Sequence, residues 1–166
     1  MNQDNQPLSL AGPEDARQAL LALLEGVRRS LHLYTPYVDP RLYDDAQVLD
    51  TLRSRIVSQP RLRFCLLLPP AAEWRRECPR LVNLAERLSS SMELRTPAPD
   101  EPRERKEFGQ SICLADEAGL LYLLDPRRLV GSFTPQRVAA SREMMNFFQG
   151  VWEKSQADPE LRNLRL

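Results

Sequence analysis

The order of elements written into this chain predicts an α/β fold, with a mixed, mainly parallel sheet between helical layers. Three observations carry that expectation. Helical and strand-like patterns alternate as α-β-α-β-α-β from Gly12 to about Arg95, and strands separated by single helices imply right-handed parallel crossovers. Residues 62–68, Leu-Arg-Phe-Cys-Leu-Leu-Leu, are almost continuously apolar, the pattern of a central strand covered on both faces. Two later strand-like runs, 111–115 and 120–124, are joined by Asp116-Glu117-Ala118-Gly119 as a hairpin, which adds antiparallel strands.

Residues 1–12 are polar and read as a flexible N-terminal arm, leaving 13–166 as a single domain large enough to bury its own core. Gly12-Pro13-Glu14-Asp15 opens the first helix: proline suits the first turn and the two acids complement the positive end of the helix dipole. Ala16, Ala19, Leu20, Leu23, Leu24 and Val27 recur at helical spacing, and Arg28 and Arg29 close the run. Residues 30–35 follow as a strand, with Leu31 and Leu33 on one face and His32 and Tyr34 on the other. Pro36 and Pro40 bracket a rigid loop. Asp44 and Asp45 start a second helix expected to bury Ala46, Val48, Leu49, Leu52 and Ile56 and to end at Pro60. After the apolar strand, Pro69-Pro70 stops the chain. A third helix is expected over about 73–89, with Trp74, Leu81, Leu84, Ala85 and Leu88 inward, and a brief strand over 92–95.

The stretch 96–108 holds three prolines and seven charges and reads as a surface loop. Residues 129–133 form a further edge strand. Thr134-Pro135 reads as the N-cap and first position of a last long helix, running to about Ser155 and burying Val138, Met144, Met145, Phe148, Val151 and Trp152. Asp158-Pro159 opens a final turn.

Composition narrows function. Acidic and basic residues balance at 23 each, so no global field draws the chain to nucleic acid or anionic lipid. Arginine outnumbers lysine 21 to 2, but the even scatter points to a GC-rich coding sequence rather than to selected guanidinium contacts. The apolar run 19–24 is too short for a secretory core or a membrane span. Cys65 and Cys113 sit in strand-like runs and Cys78 in a charged helical one, with no disulfide framework or paired metal-ligand spacing. A cytoplasmic protein with no metal, no cofactor and no membrane partner is expected.

Two stretches, together with the element order, resemble the phospholipase D superfamily. The first is Leu31-His32-Leu33-Tyr34-Thr35-Pro36-Tyr37-Val38-Asp39, continued by residues 62–69. The second runs from Ser111 to Asp116 and is followed at a distance by Gly131-Ser132. The resemblance covers roughly residues 14–155 and implies one half of a site completed across a twofold axis. In that family a strand carries His-x-Lys-x-x-x-x-Asp; the histidine attacks phosphorus and the lysine offsets charge on the phosphoryl oxygens. Aligning the aspartate with Asp116 puts Gly109 at the histidine and Ser111 at the lysine, and neither can perform those roles. Gly131 also lies further past Asp116 than the family's usual Gly-Ser pair. The resemblance therefore implies a bacterial pseudoenzyme. Similar domains lacking the motif occur in proteobacteria, sometimes alongside acetyltransferase domains, so an acetyltransferase is a partner by analogy only.

Three functional readings follow. The first is an inactive domain that serves as a binding or protein-interaction module, with a homodimer or a protein partner contacted through the apolar last helix. Its pocket rim is expected at Tyr34, Tyr37 and Asp39. A phosphate or carboxylate site is expected between Ser132, Thr134 and Arg137 at the helix start. The second is a diverged hydrolase using His32, the sole histidine; against it stands the ordinary strand histidine, half-buried and hydrogen-bonded. The third is a nucleic-acid binder through Arg75, Arg76 and Arg80 or Arg103, Arg105 and Lys106, which interleaved glutamates make the less favoured.

Overall fold

The computed structural model describes residues 6–163, and within them no helix is long and apolar enough to cross a membrane. Among the described residues, six α-helices and eight strands follow one another: β1 (Leu8–Ala11), α1 (Pro13–Gly26), β2 (Ser30–Tyr34), α2 (Pro40–Tyr43), α3 (Ala46–Ser58), β3 (Arg63–Leu67), α4 (Pro79–Arg87), β4 (Met92–Thr96), β5 (Ser111–Ala115), β6 (Gly119–Asp125), β7 (Val130–Thr134), α5 (Ala139–Lys154), β8 (Gln156–Ala157) and α6 (Pro159–Asn163). One sheet takes the order β1-β7-β6-β5-β2-β3-β4-β8.

The expected mixed sheet between helices is present, but its balance is not mainly parallel. Only β2–β3 and β3–β4 pair parallel; the other five contacts among the described residues are antiparallel. The reason is β5. It returns through the long loop and pairs antiparallel with β2, and the hairpins built on it continue that sense to β1.

Strand alternation sorts the core into two layers. Leu31, Leu33, Phe64, Leu66, Cys113, Leu121 and Phe133 face the layer containing α1, α3 and α4. Tyr34, Leu67, Ile112, Leu114 and Leu120 face α5, which supplies Met145, Phe147, Phe148 and Val151. The wide apolar face of α5 therefore turns inward. Phe108 of the 96–108 loop folds beside it, its ring edge-on to Phe147 at 4.9 Å. Thr96 and Phe108 are both buried, so that loop is not wholly a surface feature.

Local chemistry moved several expected boundaries. Within the stretch read as an arm, Leu8–Ala11 form β1 against β7, because Leu10 is apolar and reaches the core beside Phe133; Met1–Asn5 lie outside the described residues. The third helix begins only at Pro79, where the Asp44 carboxylate accepts from the Leu81 amide at 2.9 Å; before it stands a short 3-10 turn, Ala71–Glu73. Asp39 caps the four-residue α2, which the loop reading did not include.

Candidate functional site

The sheet has two ends, and the resemblance's residues divide between them. At one end lie the start of β5 and the exits of β2 and β6. Register puts Ile112 opposite Tyr34 and Ser111 opposite Leu123. At the other end lie Ser30, Gly119 and Thr134.

The first end holds Gly109 and Ser111. Ser111 is 2 % exposed and its hydroxyl meets the Thr35 hydroxyl at 2.7 Å. Thr35 donates in turn to the Tyr37 carbonyl at 2.7 Å, and the buried Tyr43 side chain lies beside the same two residues. Burial pushes the Tyr43 phenol well above its ordinary range. This buried cluster is uncharged and meets its own hydrogen-bonding needs. Gly109 is exposed, and a Cβ built there would meet nothing within 4 Å. Over it lies an open depression of about 510 Å³ lined by Pro36, Tyr37, Gly109, Leu124, Asp125, Pro126 and Arg127.

Asp116 stands at the far end of β5, about 17 Å away by strand rise. Its carboxylate accepts from the backbone amides of Arg28 (2.9 Å), Arg29 (2.7 Å) and Ser30 (3.2 Å). It therefore ties the α1–β2 connection to the β5–β6 turn, where Asp116 and Glu117 both adopt left-handed backbone (φ 56° and 60°).

The remaining expected site residues are distributed differently from the sequence reading. Tyr34 does not line an open rim: it is buried, its hydroxyl donates to the Phe108 carbonyl at 2.7 Å, and burial pushes it up to about 12. Tyr37 does reach the depression, with the Arg127 guanidinium 4.2 Å over its ring. Asp39 is 2 % exposed and is consumed by the α2 cap and by Arg41, at 2.8 Å.

His32 is 8 % exposed on the α5 side of β2, its ring edge-on to Phe148 at 5.0 Å. Its Nδ1 has no hydrogen-bond partner, and burial lowers its pKa. It lines none of the depressions described here.

The expected anion site does not assemble. Thr134 is the buried last residue of β7, α5 starts only at Ala139, and Arg137 is exposed between them, so no helix amides converge on Ser132, Thr134 and Arg137. The Ser141 hydroxyl takes over the capping, accepting from the Val138 amide at 3.2 Å and donating to the Ala118 carbonyl at 2.7 Å. Gly131 owes its identity to packing: a Cβ there would lie 1.9 Å from the Tyr122 carbonyl oxygen. Among the described residues no group of three or more His, Cys, Asp or Glu could hold a metal ion.

Sequence reasoning missed Thr35, Tyr43 and Arg127. The turn-forming Asp125-Pro126 before Arg127 was legible, but nothing in the spacing placed Arg127 over Tyr37.

The model of a family described as Domain of unknown function (DUF7931) matches residues 12–164. No curated protein matches the chain in sequence. Solved structures resemble it in fold. TrmBL2, an archaeal chromatin protein described with a novel mode of DNA binding, superposes with a TM-score of 0.63 at 12% identity, over 93% of this chain and 56% of that one. NucT from Helicobacter pylori gives 0.61 at 9%, over 92% and 98%. Phosphatidylserine synthase from Haemophilus influenzae Rd KW20 gives 0.58 at 13%, over 92% and 39%. The chain thus spans little more than half of the first of these and less than half of the third.

Proposed function

This chain belongs to the DUF7931 family and carries a phospholipase D-like fold, and on that premise we propose that it works by binding rather than by phosphodiester chemistry. The observation that carries the reading is the Ser111–Thr35–Tyr43 hydroxyl cluster. Where the related enzymes need an ammonium facing a phosphoryl group, this chain has buried, neutral hydroxyls. Where they need a nucleophilic imidazole, Gly109 leaves open space. Two copies meeting across a twofold axis would still bring no imidazole to that position. His32 does not substitute, because it lies under α5 with Phe148 against its ring. A general base or nucleophile must reach the proton or atom it acts on, and this one is walled off.

The degenerate motif is thus a binding surface. Its Asp116 holds two connections together. The test is turnover of bis-p-nitrophenyl phosphate and of single- and double-stranded DNA, with and without divalent metal. No hydrolysis above buffer is expected. Turnover that His32→Ala abolishes would overturn the proposal.

A second reading has one observation behind it, the fold shared with an archaeal chromatin protein described with a novel mode of DNA binding. The charge balance argues against it, since phosphate neutralisation needs several unpaired cations on one face. Flow-through on heparin at low salt disposes of it; salt-dependent retention revives it.

A further inference from the structure

The depression over Gly109 has a chemistry of its own. We infer that it docks an acidic protein segment carrying one large apolar side chain: the apolar group fills the space over Gly109, and a flanking carboxylate pairs with Arg127. This rests on the binding reading above and names the class of partner.

Charge complementarity carries the argument. The one acid lining the depression, Asp125, and its neighbours Asp39 and Glu107 are already occupied. Asp39 holds Arg41, Asp125 accepts from the Arg127 and Arg128 amides and pairs with Arg128, and Glu107 pairs with Arg105. Among the described residues, no carboxylate pairs with the guanidinium of Arg127. What this surface leaves unsatisfied is positive. Arg127 is also pre-set: stacking on Tyr37 fixes the guanidinium plane, and Arg41 donates to the Arg127 carbonyl at 3.0 Å, which steadies the backbone beneath it. A planar guanidinium held by one face keeps its N–H edge free for bidentate pairing with a carboxylate.

The apolar part of the surface fits the other half of the ligand. Leu124 is 61 % exposed, one of three large hydrophobic side chains in the described residues that project into solvent. It sits with Pro36, Tyr37 and Pro126 around the depression. The volume, about 510 Å³, accommodates a leucine- or phenylalanine-sized group with room for the backbone on either side. Gly109 creates that room; any side chain there projects into it. Tyrosine and arginine beside an exposed leucine are residue types at which binding energy concentrates in protein interfaces.

The test is selection from a random peptide library displayed on phage against the full chain. The same selection is run on Gly109→Trp, which fills the hollow, and on Arg127→Glu, which reverses the charge. Both positions are exposed, and circular dichroism confirms that the variants keep the fold. Enriched peptides should share aspartate or glutamate next to one leucine, phenylalanine or tryptophan. The Kd of a synthetic copy should rise at least about tenfold on each variant. Overturning results are no enrichment over the Gly109→Trp control, enrichment of basic or uncharged sequences, or equal affinity for all three proteins. Displacement of the peptide by a twelve-nucleotide single strand or by inorganic phosphate would also overturn it, assigning the surface to phosphate. Hydrolysis assays are independent of these readouts, so failure here leaves the proposed lack of turnover standing, and the converse holds.

Discussion

Asp116 ties the α1–β2 connection to the β5–β6 turn, and its side chain makes a quantitative prediction. Its carboxylate accepts from three successive backbone amides, those of Arg28, Arg29 and Ser30, between 2.7 and 3.2 Å. A hydrogen bond to an ionised group contributes about 1.5–3 kcal/mol when water cannot replace it. The Ser30 amide is partly buried, whereas those of Arg28 and Arg29 are exposed and water takes over much of their share. Taking the lower value, in full for the first bond and at about half for each of the others, gives ~3 kcal/mol for Asp116→Ala. Alanine also tolerates the left-handed backbone of this position poorly, which adds to the loss. Asp116→Asn separates the two effects, because asparagine accepts that conformation but keeps only one acceptor oxygen. We expect Asn to lose about half as much as Ala. For a chain of this size ~3 kcal/mol lowers Tm by roughly 6–12 °C, readable by thermal and urea denaturation followed by circular dichroism. A loss below about 1 kcal/mol for Ala would refute the clamp. A larger loss for Asn than for Ala would refute the division between carboxylate and backbone.

Other consequences are as direct. Because burial holds the His32 pKa below its ordinary 6.5, the unfolded chain binds a proton that the folded chain refuses. The stability this residue permits is full above pH 6.5 and falls as pH drops toward the folded pKa, with a slope of up to about 1.4 kcal/mol per pH unit. His32→Phe keeps the edge-on contact with Phe148, removes the unpartnered Nδ1 and should flatten that acid limb in pH-dependent denaturation; an unchanged limb contradicts the buried neutral imidazole. Ser111→Lys should lower stability by about 3 kcal/mol or more, since it places an ammonium in the hydroxyl cluster, whereas Gly109→His should stay within about 0.5 kcal/mol. Equal effects at the two positions would contradict the contrast between buried hydroxyls and an open hollow. Gly131→Ala forces β6 and β7 apart at the Tyr122 carbonyl and should cost about 3 kcal/mol; a neutral variant would show that the strands yield easily.

The chain itself declared its class. Single helices between apolar strands, the Asp116-Glu117-Ala118-Gly119 turn and the unbroken run before Pro69 were sufficient for a mixed α/β sheet, because hydrophobic period and turn chemistry are local properties. The identities of Gly109 and Ser111 were equally plain, so the absence of imidazole and amine from that strand needed no coordinates.

Pairing needed them. Whether β5 joins β2 parallel or antiparallel depends on how a thirteen-residue segment crosses the sheet end, and no local pattern encodes that path. Thr134-Pro135 reads as a helix start by local rule, yet the strand keeps Thr134, because pairing with Leu120 and burial outweigh a cap. The same holds for the surface. Arg127 meets Tyr37 across ninety residues of chain, a contact that only folding makes. Composition counts charges; the tertiary structure decides which are left without a partner, since pairing acts through space and falls off within a few ångströms.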